Sequence, residues 1–255
     1  MSSGYSDGPA PSPGSRGHAV VTGGASGIGW ATALALDARG FDVTVVSLED
    51  GLPSGQRRIG YLQADISDIS THAAIVAAVA KPICLVNCAG VTSLMRGDML
   101  DLTPESFDRV MSVNLRGTFF LTQAFARRML THADDGGYRS IISVGSINAD
   151  VVGENRADYC MSKAALAMMS KLFAARLAER GIMVHEVRPG VIRTQMTAGA
   201  KQKYDGLIDD GGVPMNRWGE PEDVAAAIAA LASGAFPYAT GMSIDIAGGL
   251  QLHRV

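Results

Sequence analysis

The sequence predicts an α/β fold in which a parallel sheet is covered by helices on both faces. Three observations carry that expectation. Short apolar runs alternate with helical stretches along nearly the whole chain, the pattern of parallel strands joined by helical crossovers. One apolar run near the N-terminus breaks into glycines and then resumes with helical composition. The length, 255 residues, is one that α/β chains often keep as a single domain.

Taken in order, residues 19–22 read as the first strand and residues 31–38 as the first helix. Between them runs Thr22-Gly23-Gly24-Ala25-Ser26-Gly27-Ile28-Gly29. Glycines at such a turn allow positive φ and let backbone N–H groups approach a pyrophosphate, which the positive end of the following helix also attracts. A glycine turn placed between strand and helix marks a dinucleotide site, whereas the same glycines alone would equally suit a surface loop. Further strands are expected at 43–46, 83–87, 140–144, 183–187 and 243–246, with helices near 30–39, 68–80, 104–130, 158–180 and 221–232. Thr103-Pro104-Glu105 opens one of these helices with a cap residue and a proline in the first turn, and Gly181 closes another. Residues 1–17 contain twelve Gly, Pro or Ser residues and read as a disordered tail ahead of a domain over 18–255.

Chemistry concentrates at Tyr159 and Lys163. Four residues on a helix make about one turn, roughly 6 Å, so the phenol and the ammonium point the same way. A cation beside a tyrosine favours the phenolate and lowers its pKa from about 10 toward the working range of a general acid or base. An isolated Y-x-x-x-K suits an exposed helix face equally well. Here it follows Ser146 by thirteen residues and lies downstream of the glycine turn, which together point to an oxidoreductase.

On these and further motifs the chain resembles the short-chain dehydrogenase/reductase family, in its compact form, over residues 17–250. Thr22-Gly23-x-x-x-Gly27-x-Gly29 resembles its cofactor turn. Asn87-Cys88-Ala89-Gly90 resembles its N-N-A-G segment, with Cys88 in place of the second Asn. Asn114, Ser146, Tyr159 with Lys163, and Arg188-Pro189-Gly190 complete the order, the last with Arg where the family has Asn. The resemblance implies a Rossmann-type, doubly wound sheet of about seven strands. It also implies a tetrad: Tyr159 exchanges a proton with the substrate oxygen and Ser146 holds that oxygen. Lys163 lowers the Tyr159 pKa and binds the nicotinamide ribose, and Asn114, in an interrupted helix, links Lys163 to solvent through a water. The cofactor contacts it implies are Thr22, Gly23, Ser26, Gly27, Ile28, Gly29, Ser47, Leu48, Asp65, Ile66, Asn87, Ala89, Gly90, Tyr159, Lys163, Pro189, Gly190, Ile192 and Thr194. Within that set Asp65 resembles the adenine contact and Thr194 the carboxamide contact. The segment 194–213 falls where the family carries a mobile substrate lid.

The residue after the second strand chooses between NAD and NADP. Nicotinamide enzymes place an acid there for the ribose hydroxyls or a base for a 2′-phosphate. Ser47 leaves room for a phosphate, yet no arginine follows at once, and Leu48, Glu49 and Asp50 come next. Arg57 and Arg58 are alternative phosphate ligands or a solvated loop pair. Negative charge repels a phosphate dianion, so the balance favours NAD.

Composition bounds the rest. A net charge of −3 with no basic block argues against a nucleic-acid partner. No apolar run is long enough for a membrane helix and no signal-peptide core opens the chain, so a cytoplasmic protein is expected. Three cysteines and five scattered histidines suit neither a disulfide framework nor a metal site. The family's habit implies a homotetramer built through the long helices and the last strand. The expected reaction interconverts a small-molecule carbonyl and a secondary alcohol, in the manner of 3-oxoacyl-[acyl-carrier-protein] reductases or of sugar, polyol and cyclic-ketone dehydrogenases. In the first case an acyl carrier protein would be a partner. A dinucleotide-sensing protein that kept the fold and lost the chemistry is the alternative, and loss of a tetrad member would be its mark. Asn148, Glu154, Asn155 and Arg156 fall near the expected pocket mouth, where they suit hydroxyls, a carboxylate or simply a polar loop.

Overall fold

The computed structural model describes residues 14–53, 58–131 and 136–252. Seven strands form one sheet: β1 (His18–Thr22), β2 (Asp42–Ser47), β3 (Gly60–Gln63), β4 (Pro82–Asn87), β5 (Arg139–Val144), β6 (Ile182–Pro189) and β7 (Ser243–Ile246). Their spatial order is β3-β2-β1-β4-β5-β6-β7, and every neighbouring pair is parallel. The order reverses between β1 and β4, and a crevice opens at the carboxyl ends of the strands at such a switch point. The central strands β1 and β5 are buried at every position, as strands covered on both faces must be.

Alternate side chains of each strand feed two cores. Ala19 and Val21 of β1 face one side, packed with Ala33 and Leu36 of α1 (Gly27–Ala38) and Val224 and Ile228 of α8 (Pro221–Ala232). Val20 faces the other, with Ile75 of α2 (His72–Ala77), Leu121 and Phe125 of α4 (Thr118–Leu130) and Ala174 of α5 (Ala157–Leu177). The remaining helices are α3 (Pro104–Met111), α6 (Gln195–Ala198) and α7 (Lys201–Asp209). None of the described helices is long and apolar enough to cross a membrane.

Several sequence expectations change in detail. The strand β3 has no forecast run of its own, because it is four residues long with both ends exposed and lacks the branched, alternating pattern that marks a strand. The helix expected near 104–130 is α3 and α4 joined by a π-helical turn, Ser112–Gly117. Gly117 makes that join possible, since a Cβ there would lie 2.3 Å from the Ile66 carbonyl oxygen. The segment 194–213, expected as a lid loop, is not an open loop. It folds into α6 and α7, and Tyr204 and Ile208 of α7 bury against Val191, Val213 and Trp218, with the Tyr204 and Trp218 rings edge to face at 5.7 Å. Of the expected tail, residues 1–13 lie outside the described residues, while the Arg16 N–H donates to the Gly40 carbonyl at 2.9 Å.

Candidate active site

A cavity of about 990 Å³ lies along the carboxyl ends of the strands, running from Ser47, Glu49 and Asp65 at one end to Arg96, Asn148, Arg156 and Tyr204 at the other. The glycine turn forms its floor. Gly23 has φ +61°, and a Cβ there would sit 2.7 Å from Ala89 Cα, so only glycine lets the first turn pass the segment after β4. At Gly29 a Cβ would come within 2.2 Å of the Gly23 carbonyl oxygen, which ties the helix to the turn at van der Waals limit. Ser26 caps α1 in extended geometry, and its side chain makes no capping bond. The first N–H groups of α1 therefore face the cavity without a side-chain cap, a cradle suited to a pyrophosphate.

Most residues expected at a cofactor line this cavity: Gly23, Ser26, Gly27, Ile28, Gly29, Ser47, Leu48, Asp65, Ile66, Ala89, Gly90, Tyr159, Lys163, Pro189, Gly190, Ile192 and Thr194. Two stand behind its wall instead. Thr22 is fully buried, and its hydroxyl oxygen accepts the N–H groups of Cys88 and Ala89, both at 3.1 Å. The Asn87 amide donates to Thr122 at 2.8 Å and to Ser143 at 3.3 Å. Both brace β4 against its neighbours and so fix the backbone that the cavity exposes.

At the Ser47 end of the cavity the two carboxylates that follow separate. Glu49 lines the cavity, accepting hydrogen bonds from the Ser47 hydroxyl and, at 3.3 Å, from the Ser26 hydroxyl. The Ser47 hydrogen bond holds the Glu49 carboxyl below the usual carboxylate range. Asp50 turns to the Gln63 amide instead, at 3.2 Å. Arg58 pairs with Asp37 at 3.6 Å on an exposed surface, and Arg57 lies outside the described residues.

The four expected catalytic side chains are all buried. Tyr159 and Lys163 share the cavity-facing side of α5, with Lys163 Nζ 5.6 Å from the centre of the Tyr159 ring. Lys163 Nζ donates to the Val144 carbonyl at 2.9 Å, at the carboxyl end of β5. Asn114 sits in the π-helical turn, where its side chain accepts from Val91 N–H at 2.8 Å and donates to the Val91 carbonyl at 2.9 Å and to Ser162 at 3.0 Å. A Cβ at Gly90 would stand 3.3 Å from Asn114 Oδ1 and 3.6 Å from Lys163 Nζ, so the missing side chain leaves the space between them. Asn114 itself does not line the cavity; Ser146 does, with its oxygen accepting the Asn148 N–H at 3.1 Å.

Asp158 and Glu186 were not singled out from sequence. Asp158, fully buried, accepts from Ser93, from Ser106 at 2.7 Å and from the Tyr159 N–H at 2.7 Å. It anchors the first turn of α5, and Tyr159 with it. Glu186 and Arg188 on β6 are bonded at 2.8 Å, and Arg188 also pairs with Asp150, the residue that ends the turn begun by Ser146. Arg188, where the family has Asn, thus ties β6 to the Ser146 turn. Cys88 lines the cavity, and burial pushes its thiol up to about 12, which leaves it protonated and inert. All three cysteines are free, and no cluster of three or more His, Cys, Asp or Glu suited to a metal occurs among the described residues.

Comparison with known proteins agrees with this geometry. The family model described as enoyl-(acyl carrier protein) reductase matches residues 23–251. The chain is 34% identical to the (3R)-3-hydroxyacyl-CoA dehydrogenase of Mus musculus, over 91% of this chain and 95% of the relative. It is 31% identical to the 2-dehydro-3-deoxy-D-gluconate 5-dehydrogenase of Dickeya dadantii, over 91% and 94%. Among solved structures, the 3-oxoacyl-[acyl-carrier protein] reductase of Brucella melitensis in complex with NAD superposes with a TM-score of 0.89 at 43% identity, covering 94% of this chain and 99% of that one. With fold and sequence matching over nearly its whole length, the chain belongs to the short-chain dehydrogenase/reductase family and is an NAD(P)-dependent oxidoreductase that interconverts a carbonyl and a secondary alcohol.

Proposed function

We propose that this enzyme uses NAD, with Tyr159 as the proton donor and acceptor at the substrate oxygen. The observation that carries the catalytic assignment is the convergence of Tyr159, Lys163 and Ser146 on one cavity, with Lys163 held beside the Tyr159 ring. The Ser146 hydroxyl fixes the oxygen on which charge develops. Asn114, bonded to Val91 on both sides of its amide, holds the interrupted helix next to Lys163 and leaves room for a water to relay protons.

The residues present fit a dinucleotide: the open N-terminus of α1 and the Gly23 and Gly29 contacts cradle its phosphates, and Asp65 and Ile66 line the adenine end. When bound, the nicotinamide supplies or accepts the hydride. The preference for NAD rests on Glu49, an ionised carboxylate beside Ser26 where a 2′-phosphate would meet its charge. Ser47, small and bonded to Glu49, directs that carboxylate inward.

The proposal includes a cytoplasmic homotetramer made of one Rossmann-type domain per chain. Exposed Phe120 on α4 and Met161, Met168 and Leu172 on α5 support assembly through these helices; a monomeric light-scattering mass would defeat it. The test of the catalytic assignment is binding of NADH and NADPH, followed by nicotinamide absorbance with ketones, sugars and 3-oxoacyl thioesters. Tyr159→Phe is expected to keep NADH affinity and to lower turnover by about 10²–10⁴-fold. Unchanged turnover removes Tyr159 from proton transfer, and tighter binding of NADPH than NADH removes the role of Glu49.

A further inference from the structure

The substrate end of the cavity carries cations that hydride and proton transfer do not use. Arg96 comes from the connection between β4 and α3, Arg156 immediately precedes α5, and Lys203 and Tyr204 come from α7; all four line the cavity. The two arginine segments are tied together by the Gly97 N–H, which donates to the Asn155 carbonyl at 3.3 Å. Arg156 lies across Gly153, where a Cβ would stand 2.8 Å from its Nε, and its guanidinium carbon is 5.7 Å from the centre of the Tyr159 ring. The position is therefore both held and adjacent to the reacting group.

What these cations lack is a counter-ion. Arg156 Nε is buried with no hydrogen-bond partner, and neither Arg96 nor Arg156 forms an ion pair among the described residues. Glu154 lines the same cavity, but its side chain is exposed and pairs with neither. The Tyr204 hydroxyl faces both guanidinium groups. Burial raises its pKa, yet the charges of Arg156 and Arg96 and the hydrogen bonds that both donate to it outweigh burial and lower it. Two guanidinium forks and a polarised phenol aimed into one partly enclosed space are costly to desolvate alone and complementary to an oxyanion.

We infer that the substrate carries a carboxylate, held by Arg96, Arg156 and the Tyr204 hydroxyl, and is thus a short oxo acid or hydroxy acid. The inference rests on the proposed role of Tyr159. Arg156 lies 5.7 Å from the centre of the Tyr159 ring, close enough for one short acid to reach both groups through a charge-assisted contact of about 2.7–2.9 Å. In the reducing direction the ketone carbon receives the hydride, its oxygen receives the Tyr159 proton, and the carboxylate is unchanged. A thioester presents a neutral carbonyl at the corresponding place and leaves both cations unpaired. A neutral polyol does the same. Closure of α7, which carries Tyr204, over such an acid would complete the anion site and shield it from water.

The test compares 2-oxobutanoate, 3-oxobutanoate and 4-oxopentanoate with their neutral amides, using the full-length protein and NADH. Turnover is followed at the nicotinamide band, and the thermal midpoint of the NADH-loaded protein is recorded with each compound. At least one acid is expected to exceed its amide by about 10- to 100-fold in kcat/KM, chiefly through KM. In Arg156→Gln and Arg96→Gln that ratio is expected to fall by about the same factor, with partial recovery in Arg156→Lys, which keeps the charge without the fork. Acids and amides handled alike, a ratio unchanged in the variants, or no acid raising the thermal midpoint overturns the anion site. NADH binding and sensitivity to Tyr159→Phe with any carbonyl would then still stand. Loss of those two readouts fails the parent assignment instead.

Discussion

The buried pair on β6 gives a perturbation whose size follows from the structure. The Glu186 side chain is 1% exposed and Arg188 10% exposed. One Glu186 oxygen accepts from Arg188 at 2.8 Å and from Ser243 at 2.8 Å, and the other has no partner. Replacing Arg188 with Met leaves a buried carboxylate with a single hydroxyl donor. Breaking such a pair from one side costs about 3–5 kcal/mol, which for a chain of this size lowers Tm by about 6–20 °C. Removing both charges, as in Glu186→Gln with Arg188→Met, is expected to recover at least half of the loss, because no unpaired charge remains. Thermal unfolding by circular dichroism reads both variants. A drop under about 3 °C for the single variant, or a double variant no more stable than the single, refutes the reasoning. Arg188 also holds Asp150, so Arg188→Met is expected to lower kcat through the Ser146 turn while NADH affinity changes little.

Three further outcomes are expected. Gly90→Ala inserts a methyl group 3.3 Å from Asn114 Oδ1 and 3.6 Å from Lys163 Nζ; kcat is expected to fall about 10- to 100-fold, and a wild-type rate would show that this approach is not needed. His185 is buried with neither ring nitrogen bonded, and burial lowers its pKa. Below about 6.5 the unfolded chain takes up the proton first, so stability falls as pH drops from there toward the depressed folded value. Tm measured from pH 7.5 to 5.5 should show this slope, shared with His18, whose pKa burial also lowers, and His185→Leu should flatten it; an unchanged slope excludes His185. Cys88, pushed up to about 12, should resist iodoacetamide at pH 8, and rapid alkylation there would refute the raised pKa.

Local geometry explains which features can be read from the chain. Gly23 and Gly29 announce their turn because only glycine fits those backbone contacts, Gly27 because its φ is +49°, and Tyr159 and Lys163 announce a shared helix face because helical spacing is regular. Convergence across distant segments has no such local mark. Arg96, Arg156 and Tyr204 are separated in sequence by whole elements, and only the packing of α7 over the strand ends brings them to one space. Glu186 and Arg188 look like two ordinary charges on a strand until alternation places them on the same buried side. Thr22 and Asn87 have the residue types of ligands, yet their partners across the sheet turn them into braces.

Periodicity and glycine geometry are short-range properties, so the sequence by itself determined the parallel α/β sheet, the glycine turn between β1 and α1, and the shared helix face of Tyr159 and Lys163. Tertiary structure alone decided that 194–213 folds into α6 and α7, that Glu49 rather than Asp50 lines the cavity, and that Arg96 and Arg156 meet at its other end without an acidic partner among the described residues. Each of these depends on which long-range neighbours compete for a side chain's hydrogen bonds and charge, and that competition exists only once the sheet has assembled.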